Sequence, residues 1–172
     1  FDQLNAGAFA LYNQDDAHGT DMVHETKGRK VDYALSSMAD YRGRIIENQL
    51  NGLHLHVSGH DVYSRLIGGF NAYNLIAVYA VTQELGLETL EVLTHLSMLK
   101  PPAGRFEQVN APEGITAVVD FAHTPDALKT CLINLKEQFP DKKISLVFGC
   151  GGDRDQNKRA KMGKIADIYS DK

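Results

Sequence analysis

Residues Ile144–Arg159 read ISLVFGCGGDRDQNKR, and the fold turns on how this stretch is read. Ile144, Leu146, Val147 and Phe148 form a short apolar run of the kind found in parallel strands covered on both faces. Gly149, Gly151 and Gly152 follow at once, where the missing Cβ lets the backbone turn sharply and a ligand come close. Asp153, Arg154 and Asp155 then stand just past the carboxyl end of the expected strand, the place where open α/β sheets bind ligands. A helix from about Lys158 to Tyr169 completes the unit.

Upstream, Ile115–Asp120 (ITAVVD) repeats the pattern of a buried strand. Its loop is Phe121-Ala122-His123-Thr124. A helix follows with Thr124 as N-cap, Pro125 at the first helical position and Asp126 in the first turn, each a preferred type there. Leu128, Cys131, Leu132 and Leu135 make its apolar stripe. Residues 115–170 therefore read strand–helix–strand–helix. Short links of this kind imply parallel strands and a right-handed crossover. Two parallel strands alone leave unpaired edges, so further strands are expected beyond this chain. Residue 1 is Phe and the chain stops directly after a helix, which reads as a piece of a longer protein.

Lys100-Pro101-Pro102-Ala103-Gly104 punctuates the middle of the chain, and a domain boundary is placed near Pro102. Before it, Tyr41 to Ile67 has period two. Leu53, Leu55 and Val57 alternate with His54 and His56, with turns at Asn51-Gly52 and Ser58-Gly59-His60-Asp61. This predicts a three-stranded antiparallel meander. His54, His56 and His60 have the types of metal ligands, but the polar face of a half-buried sheet gives the same pattern and is preferred. A helix running into Gly86 and a second from about Thr89 to Leu99 follow. Asn71 and Asn74 fall at the first of these helices, where either could serve as a cap. Ala8–Tyr12 is a strand candidate leading into Asn13-Gln14-Asp15-Asp16, which local chemistry explains as an Asx turn.

The 172 residues carry 43% hydrophobic and 23% charged side chains and a formal net charge of -4. The charge gives no electrostatic case for nucleic acid or an anionic membrane. No run is long enough to cross a bilayer, and none reads as a signal peptide. Cys131 and Cys150 are far apart and unpaired in sequence, which suits a reducing compartment. Cys150 reads as a small residue in a tight turn.

Two loops, after Asp120 and after Phe148, are expected on one sheet edge. A carboxylate such as Asp120 can accept from ribose hydroxyls. His123 can donate to a phosphate or cap a carbonyl, and Arg154 can grip a carboxylate with two parallel hydrogen bonds. The glycine turn is not a dinucleotide fingerprint, because Arg154 stands where GxGxxG requires glycine. No GxxxxGK[ST] occurs in the chain.

Gly69–Asn74 (GFNAYN), Gly104–Glu107 (GRFE), Asp120–Leu128 (DFAHTPDAL) and Phe148–Asp155 (FGCGGDRD) with Lys158-Arg159 together resemble the Mur ligases, and among them the MurE type. Asn13–Asp16 with Gly19 resembles that family's NxDD segment. The DFAHTPDAL stretch is shared more widely, including with folylpolyglutamate synthases; the GCGGDRD loop is the specific one. The resemblance spans essentially the whole chain. It implies the end of a P-loop ATPase-type central domain over 1–102 and the first half of a Rossmann-like parallel-sheet domain over 103–172, an α/β fold. The family's P-loop, carbamylated lysine and DNPR motif would lie outside the chain, so the fragment alone is expected to be inactive, with no catalytic residue or metal ligand of its own.

The resemblance implies an ATP-dependent, magnesium-dependent ligase of cytoplasmic peptidoglycan synthesis. It would phosphorylate the terminal carboxylate of UDP-MurNAc-L-Ala-D-Glu and let a diamino acid, preferentially meso-diaminopimelate over lysine, attack the acyl phosphate. Asn74 with Asn71 would read adenine, Asp120 would hold the ribose, Arg105 and His123 would lie near the nucleotide, and Arg154 would pair with a carboxylate of the diamino acid. The expected protein is a monomer with small-molecule substrates. A folylpolyglutamate synthase-like ligase and a non-catalytic nucleotide-binding module are the alternatives.

Overall fold

The computed structural model describes residues 1–49, 51–110, 114–151 and 155–172. These divide into two compact units, Phe1–Lys100 and Pro101–Lys172.

The first unit holds strands β1 (Phe9–Asn13), β2 (Arg29–Ala34), β3 (Tyr41–Gln49), β4 (Gly52–Val57) and β5 (His60–Ser64). Its helices are α1 (Gly19–Met22), α2 (Gly69–Glu84) and α3 (Thr89–Met98). The strands form one sheet in the order β1-β2-β3-β4-β5. β1–β2 and β2–β3 are parallel, while β3–β4 and β4–β5 are antiparallel. The expected three-stranded meander is thus present as part of a mixed five-stranded sheet.

The alternation of β4 decides which face is buried. Leu53, Leu55 and Val57 are at most 3% exposed. They pack with Val62 of β5 against Ala72, Leu75, Ile76 and Tyr79 of α2 and Val92, Leu93 and Leu96 of α3. His54 and His56 point to the opposite face, as period two requires. The turn into β4 needs glycine at position 52: its φ is +137°, and a Cβ there would sit 2.0 Å from the Ser64 carbonyl oxygen. Gly68, at φ +92°, is the N-cap of α2. The other end of α2 is clasped to the sheet, because the Glu84 carboxylate accepts from the Tyr41 hydroxyl at 2.9 Å and also pairs with Arg29. Gly86, at φ +77°, follows the helix as expected.

The second unit holds β6 (Glu107–Asn110), β7 (Thr116–Val119), α4 (Pro125–Gln138) and α5 (Asn157–Tyr169). Its core is small: Leu128, Leu132 and Met162 are buried, flanked by half-buried Leu135, Ile144, Leu146 and Ile165. Thr124 caps α4 as predicted, its hydroxyl accepting from the Ala127 N–H at 3.3 Å, with Pro125 in the first turn.

Here the strand expectation is corrected. β7 pairs with β6 in antiparallel register, Val109 opposite Ala117, and not with the 144–148 segment. A hairpin partner a few residues away closes at an entropic cost lower by about 1 kcal/mol than a partner across a helix. Residues 144–148 form no strand. Instead the Asp171 N–H donates to the Ile144 carbonyl at 2.9 Å and the Leu146 N–H to the Lys172 carbonyl at 2.9 Å. The two segments run in the same direction through the α5 crossover, so parallel order begins here without becoming a ladder. Val147 is left 97% exposed.

Candidate functional site

In the first unit the candidate residues stand on the opening turns of α2. Neither asparagine caps the helix. Gly68 holds that position and no side chain bonds there, so the capping reading fails. Asn71 is only 9% exposed. Its Nδ2 donates to the Ile67 carbonyl at 2.7 Å, and its Oδ1 accepts from Asn74 Nδ2 at 3.1 Å. Asn74 is exposed. The pair therefore divides its labour: Asn71 is the buried member that orients, and Asn74 is the member that presents an amide to solvent. An amide can meet an adenine edge with one donor and one acceptor.

Asp15 sits just past the carboxyl end of β1. Its oxygens accept from the backbone N–H groups of Leu35, Ser36 and Ser37 at 2.8, 2.9 and 2.8 Å and from the Tyr73 hydroxyl at 3.0 Å. Partial burial works against ionisation, but the hydrogen bonds from Ser37, Ser36 and Leu35 outweigh it and hold the carboxyl well below the usual range. The Asx-turn reading of this stretch is also met, with Asn13 Oδ1 accepting from the Asp15 N–H and Asp16 Oδ1 from the His18 N–H.

In the second unit the structure brings Arg105, Asp120 and His123 together. Asp120 Oδ2 accepts from the Phe106 N–H and Oδ1 from the Ala122 N–H, both at 2.8 Å. The carboxylate thus pins the start of β6 to the end of β7, and each oxygen keeps a lone pair for a ligand hydroxyl. Phe106, 3% exposed, takes the left-handed φ of +49° at this junction. The Arg105 guanidinium lies 4.5 Å over the ring of Phe121. The His123 ring also meets Phe121, edge-on at 5.0 Å. His123 Nδ1 is 3.0 Å from the Phe121 carbonyl. A carbonyl only accepts, so Nδ1 carries the proton and Nε2 is left outward.

Phe121 is the residue that sequence reasoning missed. It is 58% exposed and forms the platform on which both neighbours rest. An aromatic residue inside a polar loop at a strand end is the signal that points to it. Arg154, expected to take a carboxylate, lies outside the described residues. Asp155 Oδ1 accepts from the Asn157 N–H at 3.0 Å, at the start of α5.

Two of the three meander histidines, His54 and His56, converge on one acid. His56 Nδ1 is 2.9 Å and His54 Nε2 is 3.6 Å from the same oxygen of Asp61, and His54 stacks on Tyr63 at 4.1 Å. Among the described residues no group of three or more His, Cys, Asp or Glu side chains could hold a metal ion. A groove of about 750 Å³ between β5 and α3, lined by His60, Asp61, Tyr63, Arg65, Leu90 and Thr94 among others, contains none of the nucleotide candidates. No described helix is long and apolar enough to cross a membrane.

Two family descriptions match this chain. The Mur ligase middle domain matches residues 1–82 and the Mur ligase, glutamate ligase domain matches 104–172. The chain belongs to the Mur ligase family. A UDP-N-acetylmuramoyl-L-alanyl-D-glutamate--2,6-diaminopimelate ligase from Parabacteroides distasonis is 46% identical over 172 residues, covering 99% of this chain and 35% of the relative. The ligase of the same name from Lactiplantibacillus plantarum is 35% identical and covers 95% of this chain and 34% of its own length. This Mur ligase chain therefore spans about a third of the curated relatives it matches. Among solved structures, a ligase of that name is 32% identical with a TM-score of 0.63, covering 95% of this chain and 35% of the other. A folylpolyglutamate synthase from Thermotoga maritima reaches a TM-score of 0.69 at 18% identity, covering 90% of this chain and 37% of the other. That is a likeness of fold alone and gives no support to the folate alternative.

Proposed function

We propose that residues 1–102 are the C-terminal part of the central ATP-binding domain, and 103–172 the start of the Rossmann-like domain, of a cytoplasmic, monomeric ligase. That ligase joins meso-diaminopimelate to UDP-MurNAc-L-Ala-D-Glu at the cost of ATP. The observation that carries the reading is the exposed, pre-aimed amide of Asn74 on a Mur ligase helix. Five relatives at 41–46% identity all bear the name of 2,6-diaminopimelate ligases, which favours that amino acid over lysine.

In this reading Asn74 meets the adenine edge, held in place by Asn71. Asp120 accepts from the ribose hydroxyls with the lone pairs that Phe106 and Ala122 leave open. Arg105, fixed over Phe121, keeps N–H groups for phosphate oxygens, and His123 stands beside it. Arg154 pairs with a carboxylate of the incoming diamino acid. Magnesium would neutralise phosphate charge, but the described residues offer no cluster for it.

The test is made with the full-length protein. Phosphate release that requires ATP, UDP-MurNAc-L-Ala-D-Glu and meso-diaminopimelate together is the expected result; turnover of a folate with glutamate, or none with any acceptor, would overturn it. In the active enzyme Arg154→Ala is expected to raise the KM for the diamino acid by about one to two orders of magnitude, the worth of one charge-assisted hydrogen bond. An unchanged KM removes Arg154 from that role.

A further inference from the structure

We infer that Asp15 and Tyr73 form a positioning device that sets the aim of Asn74, an assignment that rests on the nucleotide reading above. Tyr73 immediately precedes Asn74 on α2 and is half-buried. Its hydroxyl donates to Asp15 Oδ2 at 3.0 Å, across 58 residues of sequence. The same oxygen is held by the N–H groups of Leu35 and Ser36, and its partner oxygen by Ser37. One carboxylate thus ties three parts of the unit together: the carboxyl end of β1, the loop after β2, and the second turn of α2.

Ala72, Leu75 and Ile76 pack this part of α2 into the core and the Gly68 N–H donates to Asn48 Oδ1 at 3.2 Å; the Tyr73–Asp15 bond adds a polar tether at the residue next to Asn74. The N-cap of α2 is a glycine with no side chain to anchor it. Asn71 and Asn74 bond to each other and to Ile67 within the same stretch, so none of these bonds reaches across to the sheet. The Tyr73–Asp15 bond is the long-range contact that joins the residue beside Asn74 to the end of β1. Burial and the negative carboxylate both push the phenol up from its ordinary value, so it remains a donor at working pH. Asp15, held ionised, remains an acceptor. An amide that must meet both a donor and an acceptor on a base is sensitive to small rotations, and a purine that offers oxygen at the equivalent edge presents the reverse pattern.

The experiment uses the full-length enzyme, with Tyr73→Phe, Asn74→Ala and the double variant, and with ATP and GTP as probes. Tyr73→Phe keeps the ring and deletes one hydroxyl. It is expected to raise the KM for ATP about threefold to tenfold, a fraction of the worth of one hydrogen bond to a charged group because the effect reaches the nucleotide only through Asn74, with kcat within about twofold, and to narrow the preference for ATP over GTP. In the Asn74→Ala background the same change should have no further effect on KM. If Asn74→Ala raises the ATP KM but Tyr73→Phe does not, or if their effects simply add, the positioning role is refuted while the adenine reading stands. If Tyr73→Phe lowers only thermal stability, the contact is structural and the inference fails. If Asn74→Ala leaves the ATP KM unchanged, the adenine reading fails and takes this inference with it.

Discussion

The opening turns of α2 and the loop after β7 both present residues to a proposed nucleotide, but they hold them differently. On α2 the exposed Asn74 rests on a buried Asn71, over a sheet whose core includes Leu53, Leu55, Ile76 and Tyr79. After β7, Arg105, Phe121 and His123 rest on one another at the surface, with Asp120 bonded to backbone, in a unit whose core cluster is only Leu128, Leu132 and Met162. One site is positioned by packing and the other by short-range contacts among its own members. The difference teaches that the first should fail through the core, and the second through its own loop.

The largest expected effect lies in the cores. In the full-length protein, Leu55→Ala should destabilise the first unit by about 2–5 kcal/mol, because the fully enclosed sheet–helix interface cannot collapse onto the cavity. Leu132→Ala should fall at the low end of that range, since its half-buried neighbours can relax. Hydrogen exchange resolved by segment checks this, and equal losses would erase the comparison.

Next is the Asp15 carboxylate. Asp15→Asn should cost the first unit about 1–3 kcal/mol near neutrality, since hydrogen-bonded donors lose their charged acceptor. The folded carboxyl is held below its ordinary value. Its contribution is therefore full above about pH 4 and is lost as pH falls further toward the folded value. The stability gap between wild type and variant should narrow with acidification below that point. A gap that widens on acidification would show that the sign is wrong.

The smallest effect sharpens the second unit. Burial, then the nearby Asp120 charge, pushes the Cys131 thiol up to about 12. Cys131 should therefore resist alkylation at pH 8, reacting far more slowly than a free thiol. Mass spectrometry after a short iodoacetamide pulse measures it, and rapid labelling would mean that the α4 packing opens.

Much of the fold is legible in the chain where its signals are local. The β4 alternation, the Thr124-Pro125 start of α4 and the Gly86 stop each need only neighbours in sequence. β2 is not legible in this way: in Arg29–Ala34 only Val31 and Ala34 are buried, too few for a periodic pattern. The apolar run 144–148 has the composition of a strand, but a strand exists only with a partner, and the one it meets is two residues long, at 171–172. The Asp15–Tyr73 contact joins residues 58 apart, and no local pattern reports it. The sequence places Asn71 and Asn74 in the punctuation before the helix, whereas α2 already begins at Gly69 and carries both; which of them is exposed depends on the packing of α2.

The most direct test of the account is the nucleotide dependence of Asp120→Ala in the full-length enzyme. The account predicts that the KM for ATP rises by about an order of magnitude or more, while the KM for the diamino acid changes by less than about twofold. Equal increases for both substrates, or an unchanged KM for ATP, would contradict it.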